Sequence, residues 1–198
     1  MKDKPKTNEK KIATSLSLPP AFILCVGSLS PRKQPDCLIR ALSLLAPAQR
    51  LPLVFVGTGS SAYTRKLRDL IRQLQLDELI HFKGRVATED LPALYQLATV
   101  FVYPSLFEGF GIPILEALFS EVPVITSDAA CMREVGGPHS LYTKPQDPQE
   151  LATALATLLD SSEQRKRMAA DGRRHAEQFH ETNSAARLMA CYQEVSEI

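Results

Sequence analysis

No uncharged stretch of about 18 apolar residues runs through the 198-residue chain, so no membrane span is expected. Charge of one sign is also missing. Twenty-three lysines and arginines stand against 22 aspartates and glutamates, for a net charge of +1. That balance creates no overall field to draw nucleic acid or an anionic membrane, so nucleic acid is not expected as a partner and any bound anion must be met locally. The four cysteines, Cys25, Cys37, Cys131 and Cys191, form no C-x-x-C pair, and no histidine stands at metal-ligand spacing. Cys25 and Cys37 lie in or beside apolar runs, as small core residues do. Cysteine used this way points to a reducing, cytoplasmic setting. Tandem repeats and low-complexity tracts are lacking as well.

The amino terminus has only part of a secretory signal. Lys2, Lys4, Lys6, Lys10 and Lys11 precede the apolar residues 21–26, but Asp3 and Glu9 interrupt the basic region. Pro19 and Pro20 stand before the apolar run, which is at the short limit for such a signal. Residues 1–18 are expected to form a solvated tail or linker stub.

What is present is regular alternation. Hydrophobic residues make up 44% and charged residues 23%, ordinary values for a globular protein with one proper core. Short runs rich in β-branched and aromatic residues occur at 21–26, 51–56, 79–83, 100–104, 122–126 and 140–143. Between them, Cys37, Leu38, Ala41, Leu42 and Leu45 repeat at helical spacing. So do Leu67, Leu70, Ile71 and Leu74, and then Leu91, Leu94, Tyr95 and Ala98. Strands alternating with helices predict an α/β domain, a six-stranded parallel sheet with helices on both faces. The nearly continuous apolar strands suit a sheet covered on both sides. Beyond residue 147 the pattern is helical, at about 147–160, 162–178 and 182–196. The commonest order for six such strands is 3-2-1-4-5-6, with ligands at the carboxyl ends where the order reverses. The loops after Val26 and after Tyr103 should therefore converge.

The first of these reads Gly27-Ser-Leu-Ser-Pro-Arg32-Lys33. Pro31 suits a first helical position, which places Arg32 and Lys33 in a first turn, against the helix dipole. Either they face a bound phosphate, or they pair with Asp36 on the surface. The second loop reads Glu108-Gly-Phe-Gly-Ile-Pro-Ile-Leu-Glu116. Gly109 and Gly111 let backbone approach a ligand closely, and Pro113 starts a helix whose amides near Phe110, Gly111 and Ile112 should face a pyrophosphate. Glu108 stands just before the glycines and Glu116 is expected in the first turn of that helix, either as hydroxyl acceptors for sugar rings, or as rim and helix-dipole residues.

The run from Glu108 to Glu116, followed by Val122-Pro-Val-Ile-Thr-Ser127, resembles the group 1 (family 4) retaining glycosyltransferases. The Gly27 loop, the stretch from Phe82-Lys-Gly84 to Leu94-Tyr95, and Arg133-Glu-Val-Gly-Gly137 extend the likeness over residues 21–180. The resemblance implies a GT-B fold, two Rossmann-like domains around a cleft, with this chain matching the C-terminal, donor-binding domain. By that likeness Arg32 and Lys33 hold the diphosphate of a UDP- or GDP-sugar, with the amides of Phe110 to Ile112, Gly109 and Gly111. Glu108 contacts the transferred sugar as the catalytic residue, and Glu116 takes the ribose hydroxyls. Metal and cofactor are not needed in that family, and no Asp-x-Asp motif is present. Two departures are Ser28, where many members have Arg, and Glu121, where Gly is usual.

The domains expected are the tail at 1–18, a nucleotide-sugar-binding domain at 19–180, and a C-terminal helix at 181–198. That helix carries an apolar stripe of Ala185, Leu188, Met189, Tyr192 and Val195. It is expected either to cross to a missing N-terminal acceptor-binding domain or subunit, or to pack on its own domain. The full enzyme would allow peripheral membrane contact, with surface polysaccharide or lipopolysaccharide as the commonest family setting. The isolated chain would be weak or inactive, and a non-catalytic nucleotide-sugar-binding module is the competing reading. Gly57-Thr-Gly-Ser-Ser-Ala62 fits G-x-G-x-x-A, but the next strand ends in Lys83 and not in an acid. A tight turn is favoured over NAD binding there. His81 is expected at a strand end, and His175 and His180 on solvated helix faces.

Overall fold

The computed structural model describes residues 7–180, together with 182, 183, 185, 189, 192 and 193. Six strands, β1 (Ile23–Val26), β2 (Leu53–Val56), β3 (Ile80–Phe82), β4 (Val100–Tyr103), β5 (Val124–Ser127) and β6 (Leu141–Thr143), form one sheet. Every pairing is parallel and the order is β3-β2-β1-β4-β5-β6, as the alternation predicts. The helices are α1 (Thr7–Ser15), α2 (Pro35–Leu44), α3 (Ser61–Gln73), α4 (Leu91–Leu97), α5 (Ile112–Phe119), α6 (Ala130–Gly136), α7 (Pro148–Asp160) and α8 (Ser162–Ala176).

Successive strand side chains point to opposite faces, so the inner strands β1, β2, β4 and β5 feed two cores. Ile23, Cys25, Leu53, Phe55, Val100 and Val102 meet Leu38 and Leu42 of α2, Leu67 and Ile71 of α3, and Leu151 and Leu155 of α7. Leu24, Val54, Val56, Phe101 and Tyr103 belong to the other core, with Leu94 of α4, Ile114 and Leu118 of α5, and Met132 and Val135 of α6. Each fully buried aliphatic side chain contributes about 1.5–3 kcal/mol, so the two cores are the main stabilising term. Helix starts are marked locally. Ser60 Oγ accepts from Tyr63 N at 3.3 Å, Asp147 Oδ1 from Glu150 N at 2.9 Å, and Ser161 Oγ from Gln164 N at 3.1 Å.

Four expectations change. Residues 1–18 were expected as a tail, yet residues 7–15 form α1, which packs on α4 with Ile12 only 3% exposed. Ile12, Leu16 and Leu18 cover apolar surface beside Phe22, a stripe hidden in the sequence by the lysines around it. His175 is half-buried, not solvated: its ring bonds to Glu134 O at 3.0 Å and lies where a side chain on Gly137 would have to stand. Arg32 and Lys33 do not open α2. They sit in a separate 3-10 turn, Pro31–Lys33, which ends at Gln34 in a left-handed conformation (φ 54°) before Pro35 starts the helix. Glu116 lies beyond the first turn of α5, which begins at Ile112. In the last segment Ala185, Met189 and Tyr192 are exposed, while Leu188 and Val195 of the expected stripe lie outside the described residues.

Glu121 occupies the left-handed position after α5, with φ 56°. Its N–H donates to Leu118 O at 3.1 Å and the Val122 N–H to Ala117 O at 3.0 Å, the Schellman pattern that glycine serves best. A side chain in that conformation costs about 1–2 kcal/mol, partly offset by the extra unfolded-state freedom of glycine. Glu121→Gly should therefore stabilise the domain by about 0.5–1 kcal/mol, raising Tm by about 1–4 °C. Thermal unfolding of the two proteins checks this, and a lower Tm for the variant would refute it.

Candidate functional site

The order of the sheet reverses between β1 and β4, and the loops leaving those strands meet there. After β1 the chain passes Gly27 and reaches the Pro31–Lys33 turn. After β4 it passes Ser105, Phe107 and Glu108 and enters α5 through Gly111. Backbone stitches the two loops together, with Leu106 N donating to Arg32 O at 2.8 Å.

Side chains complete the junction. Glu108 Oε1 accepts from Lys33 Nζ at 2.5 Å, Arg32 Nη1 at 2.6 Å and Ser105 Oγ at 2.6 Å. Arg32 Nη1 also donates to Phe107 O at 2.8 Å, and its guanidinium lies over the Phe107 ring. Lys33 Nζ bonds the Tyr103 hydroxyl and sits over that ring. The Cys131 thiol donates to Glu108 O at 3.1 Å. Burial alone would raise the Glu108 pKa, but the hydrogen bonds from Lys33, Ser105 and Arg32 outweigh it and hold the carboxyl at about 2. Burial and the neighbouring Glu108 carboxylate both push the Tyr103 hydroxyl up, so it stays protonated.

Of the two alternatives for the cations, pairing with Asp36 is not seen among the described residues; Asp36 Oδ1 accepts from the Tyr63 hydroxyl at 2.9 Å. The anion that compensates Arg32 and Lys33 comes instead from the other loop. Glu116 stands apart from this cluster, and its Oε2 accepts from the Tyr95 hydroxyl at 2.9 Å. Tyr95 is buried, so one edge of Glu116 is fixed by a rigid group while the residue stays partly accessible.

The glycines divide by cause. Gly111 has φ 108°, so the entry to α5 requires it. Gly109 needs no such conformation, and a side chain there would meet no atom within 4 Å. The fold itself therefore gives no steric reason for glycine at that exposed position. Phe110 and Ile112 are 40% and 61% exposed, and the Phe110 ring stands edge-on to Phe179. Within the first turn of α5, Pro113 has no N–H and Ile114 N donates to Gly111 O at 2.9 Å, which leaves the Ile112 N–H as the donor without a helical partner.

The Gly57–Gly59 turn also has a structural cause. A Cβ on Gly57 would lie 2.0 Å from Gly27 O, and one on Gly59 2.2 Å from Leu29 O. Both glycines are there so that the second βα loop can lie flush against the first. Gly57 N further donates to Gly84 O at 2.7 Å, which ties in the loop after β3.

Sequence reasoning missed Ser105, Tyr103 and Cys131 as neighbours of Glu108, and the hydroxyl of Tyr95 as the partner of Glu116. The one available signal was position: Tyr103 ends, and Ser105 closely follows, a strand bordering the reversal.

A doubly wound domain with two cations, one carboxylate and a helix start gathered at its switch point belongs to the Rossmann-like class. More narrowly, the chain belongs to the glycosyl transferases group 1 family, which matches residues 6–175. It is 33% identical over 172 residues to O-antigen chain mannosyltransferase B of Escherichia coli, covering 86% of this chain and 45% of that protein. It is 37% identical over 128 residues to MMP alpha-(1->4)-mannosyltransferase of Mycolicibacterium hassiacum, covering 63% of this chain and 31% of that protein. The chain thus spans less than half the length of these relatives. Among solved structures, Anabaena Alr3699/HepE in complex with UDP superposes with a TM-score of 0.84 at 24% identity, over 98% of this chain and 54% of that one. The C-terminal domain of a glycosyl transferase group 1 family protein, LpcC, from Francisella tularensis gives 0.76 at 25% identity, over 87% and 93%. The fold is therefore one Rossmann-like half of the GT-B architecture. No helix among the described residues is long and apolar enough to cross a membrane.

The depressed pKa of Glu108 has a measurable consequence. Its pKa is lower when folded, so its stabilisation is fully present above the ordinary value of 4.5 and is lost as pH falls toward about 2. The stability difference between the protein and Glu108→Gln, measured by urea unfolding, should shrink steadily across that window. A difference unchanged between about pH 6 and about pH 2.5, which spans most of that window, would disprove the ionised cluster.

Proposed function

We propose that the chain is the donor-binding half of a retaining hexosyltransferase that takes a UDP- or GDP-sugar. The observation that carries this is the convergence of Arg32, Lys33 and Glu108 beside the glycine-led start of α5. In this reading the diphosphate lies against Arg32, Lys33 and the amides of Phe110, Gly111 and Ile112, with Gly109 leaving room for it. Glu108 meets the transferred sugar and is the catalytic residue. Glu116, oriented by Tyr95, accepts from the ribose hydroxyls. Two cations and a helix start balance the charge of the leaving diphosphate, a role a metal plays elsewhere.

The complexes of Alr3699/HepE with UDP and with UDP-glucose support a nucleotide-sugar. The relatives named mannosyltransferases favour a mannosyl donor and a role in surface polysaccharide or lipopolysaccharide synthesis, in the cytoplasm. Because the chain covers only 45% of its E. coli relative, the acceptor site is assigned to an N-terminal domain or subunit, which would also carry any peripheral membrane contact. The isolated chain should transfer weakly or not at all. The same coverage keeps a second reading open, a non-catalytic nucleotide-sugar module serving a partner.

Calorimetry with UDP- and GDP-sugars tests the donor site. A charge-assisted hydrogen bond is worth about 1.5–3 kcal/mol, so Glu116→Ala should weaken binding by about 10- to 150-fold. No binding of any nucleotide-sugar by the unaltered chain would refute the reading. Binding without sugar transfer or donor hydrolysis, even with the partner domain supplied, would select the module.

A further inference from the structure

We propose that Glu108 also discriminates between donor and spent donor, repelling the additional negative charge of the nucleoside diphosphate and so favouring its release. This rests on the nucleotide-sugar reading above and adds a second task to the same carboxylate.

The geometry places an anion among the cations meant for anions. Arg32 and Lys33 both contact Glu108 Oε1, at 2.6 and 2.5 Å, and Ser105 Oγ holds the same oxygen at 2.6 Å. Ser105 is fully buried, and the side chains of Lys33 and Glu108 are only 13% and 12% exposed. Charges this enclosed are weakly screened by salt. Two cations and one carboxylate leave a single net positive charge at the switch point. The carboxylate is ionised across the physiological range, since the bonds from Lys33, Ser105 and Arg32 overcome the effect of burial.

Transfer changes the charge of the ligand at this place. The bond between the anomeric carbon and the β-phosphate oxygen breaks, and its electron pair stays on the phosphate. The acceptor oxygen bonds the anomeric carbon, and its proton leaves to solvent at neutral pH. A sugar diphosphate carries two negative charges. The product has a terminal phosphate monoester whose second ionisation falls near pH ~6, so it carries about three. The new charge develops where the sugar was attached, and so where the Glu108 carboxylate faces the sugar. The donor offers hydroxyls there, which a carboxylate accepts; the product offers a like charge. The contact that favours the donor therefore opposes the product.

The test is calorimetry on the full chain with UDP, UDP-glucose, GDP and GDP-mannose, before and after Glu108→Gln. The variant should bind the free diphosphate of the preferred base about 3- to 10-fold tighter, and the matching nucleotide-sugar more weakly than before. The two effects have opposite signs, which general damage to the site cannot produce. Parallel loss of both affinities in a folded variant overturns the proposal. If that variant does not fold, judged by circular dichroism, Glu108→Ala is titrated with the same four ligands and should show the same gain for the free diphosphate and loss for the nucleotide-sugar. Failure of the unaltered chain to bind any of these ligands overturns the nucleotide-sugar reading as well. Binding with unchanged discrimination overturns this inference alone.

Discussion

One carboxylate oxygen, Oε1 of Glu108, receives hydrogen bonds from both cations of the loop after β1 and from the serine that follows β4. The loops it joins are 75 residues apart in sequence and adjacent only because the sheet reverses between those strands. A half-buried ion cluster like this costs desolvation, which its hydrogen bonds offset, and removing one partner would strand the rest. The cluster therefore fixes where the two loops stand relative to each other, and with them the entry to α5. The other site features depend on that relation: the exposure of Gly109, the direction of the first α5 amides, and the accessible side of Glu116.

The sheet imposes the rest. Its strands are short and buried on both faces, so they leave no choice of register, and the chain can vary only where it leaves them. Polar groups that could meet a ligand are displaced to the carboxyl ends. Tyr103 shows the transition within one residue, its ring in the core and its hydroxyl on Lys33. Tyr95 makes the same transition toward Glu116. The site is thus built from the outer tips of core side chains as well as from loops, which holds it rigid.

Much of this was legible in the sequence, for identifiable reasons. Strand positions and order follow from apolar runs of fixed length, and the convergence of the two loops follows from the order. Gly111 and Pro113 mark a helix entry by local backbone rules that need no tertiary knowledge. What was not legible depended on contacts distant in sequence. Nothing near Arg32 and Lys33 shows that Glu108 neutralises them. Ser105 looks like any turn residue until it is placed under the carboxylate. The lysines around Ile12 hid α1, because composition averages over a helix whose one apolar stripe decides its fate. The Pro31–Lys33 turn was read as a helix start since proline suits both, and only the left-handed Gln34 separates them.

The glycines of the second loop carry a consequence for how this fold can diversify. Gly57 and Gly59 lie so close to the backbone of Gly27 and Leu29 that the two loops also form a parallel bridge, Leu29 to Gly59. Neither loop can gain or lose a residue without lifting off the other, so the floor of the site is closed to insertions. The loop after β4 carries no such interlock at Gly109, where nothing lies within 4 Å. Diversity in such a domain must arise by exchanging side chains on loops of constant length, or by reshaping the stretch around Gly109, where there is open space.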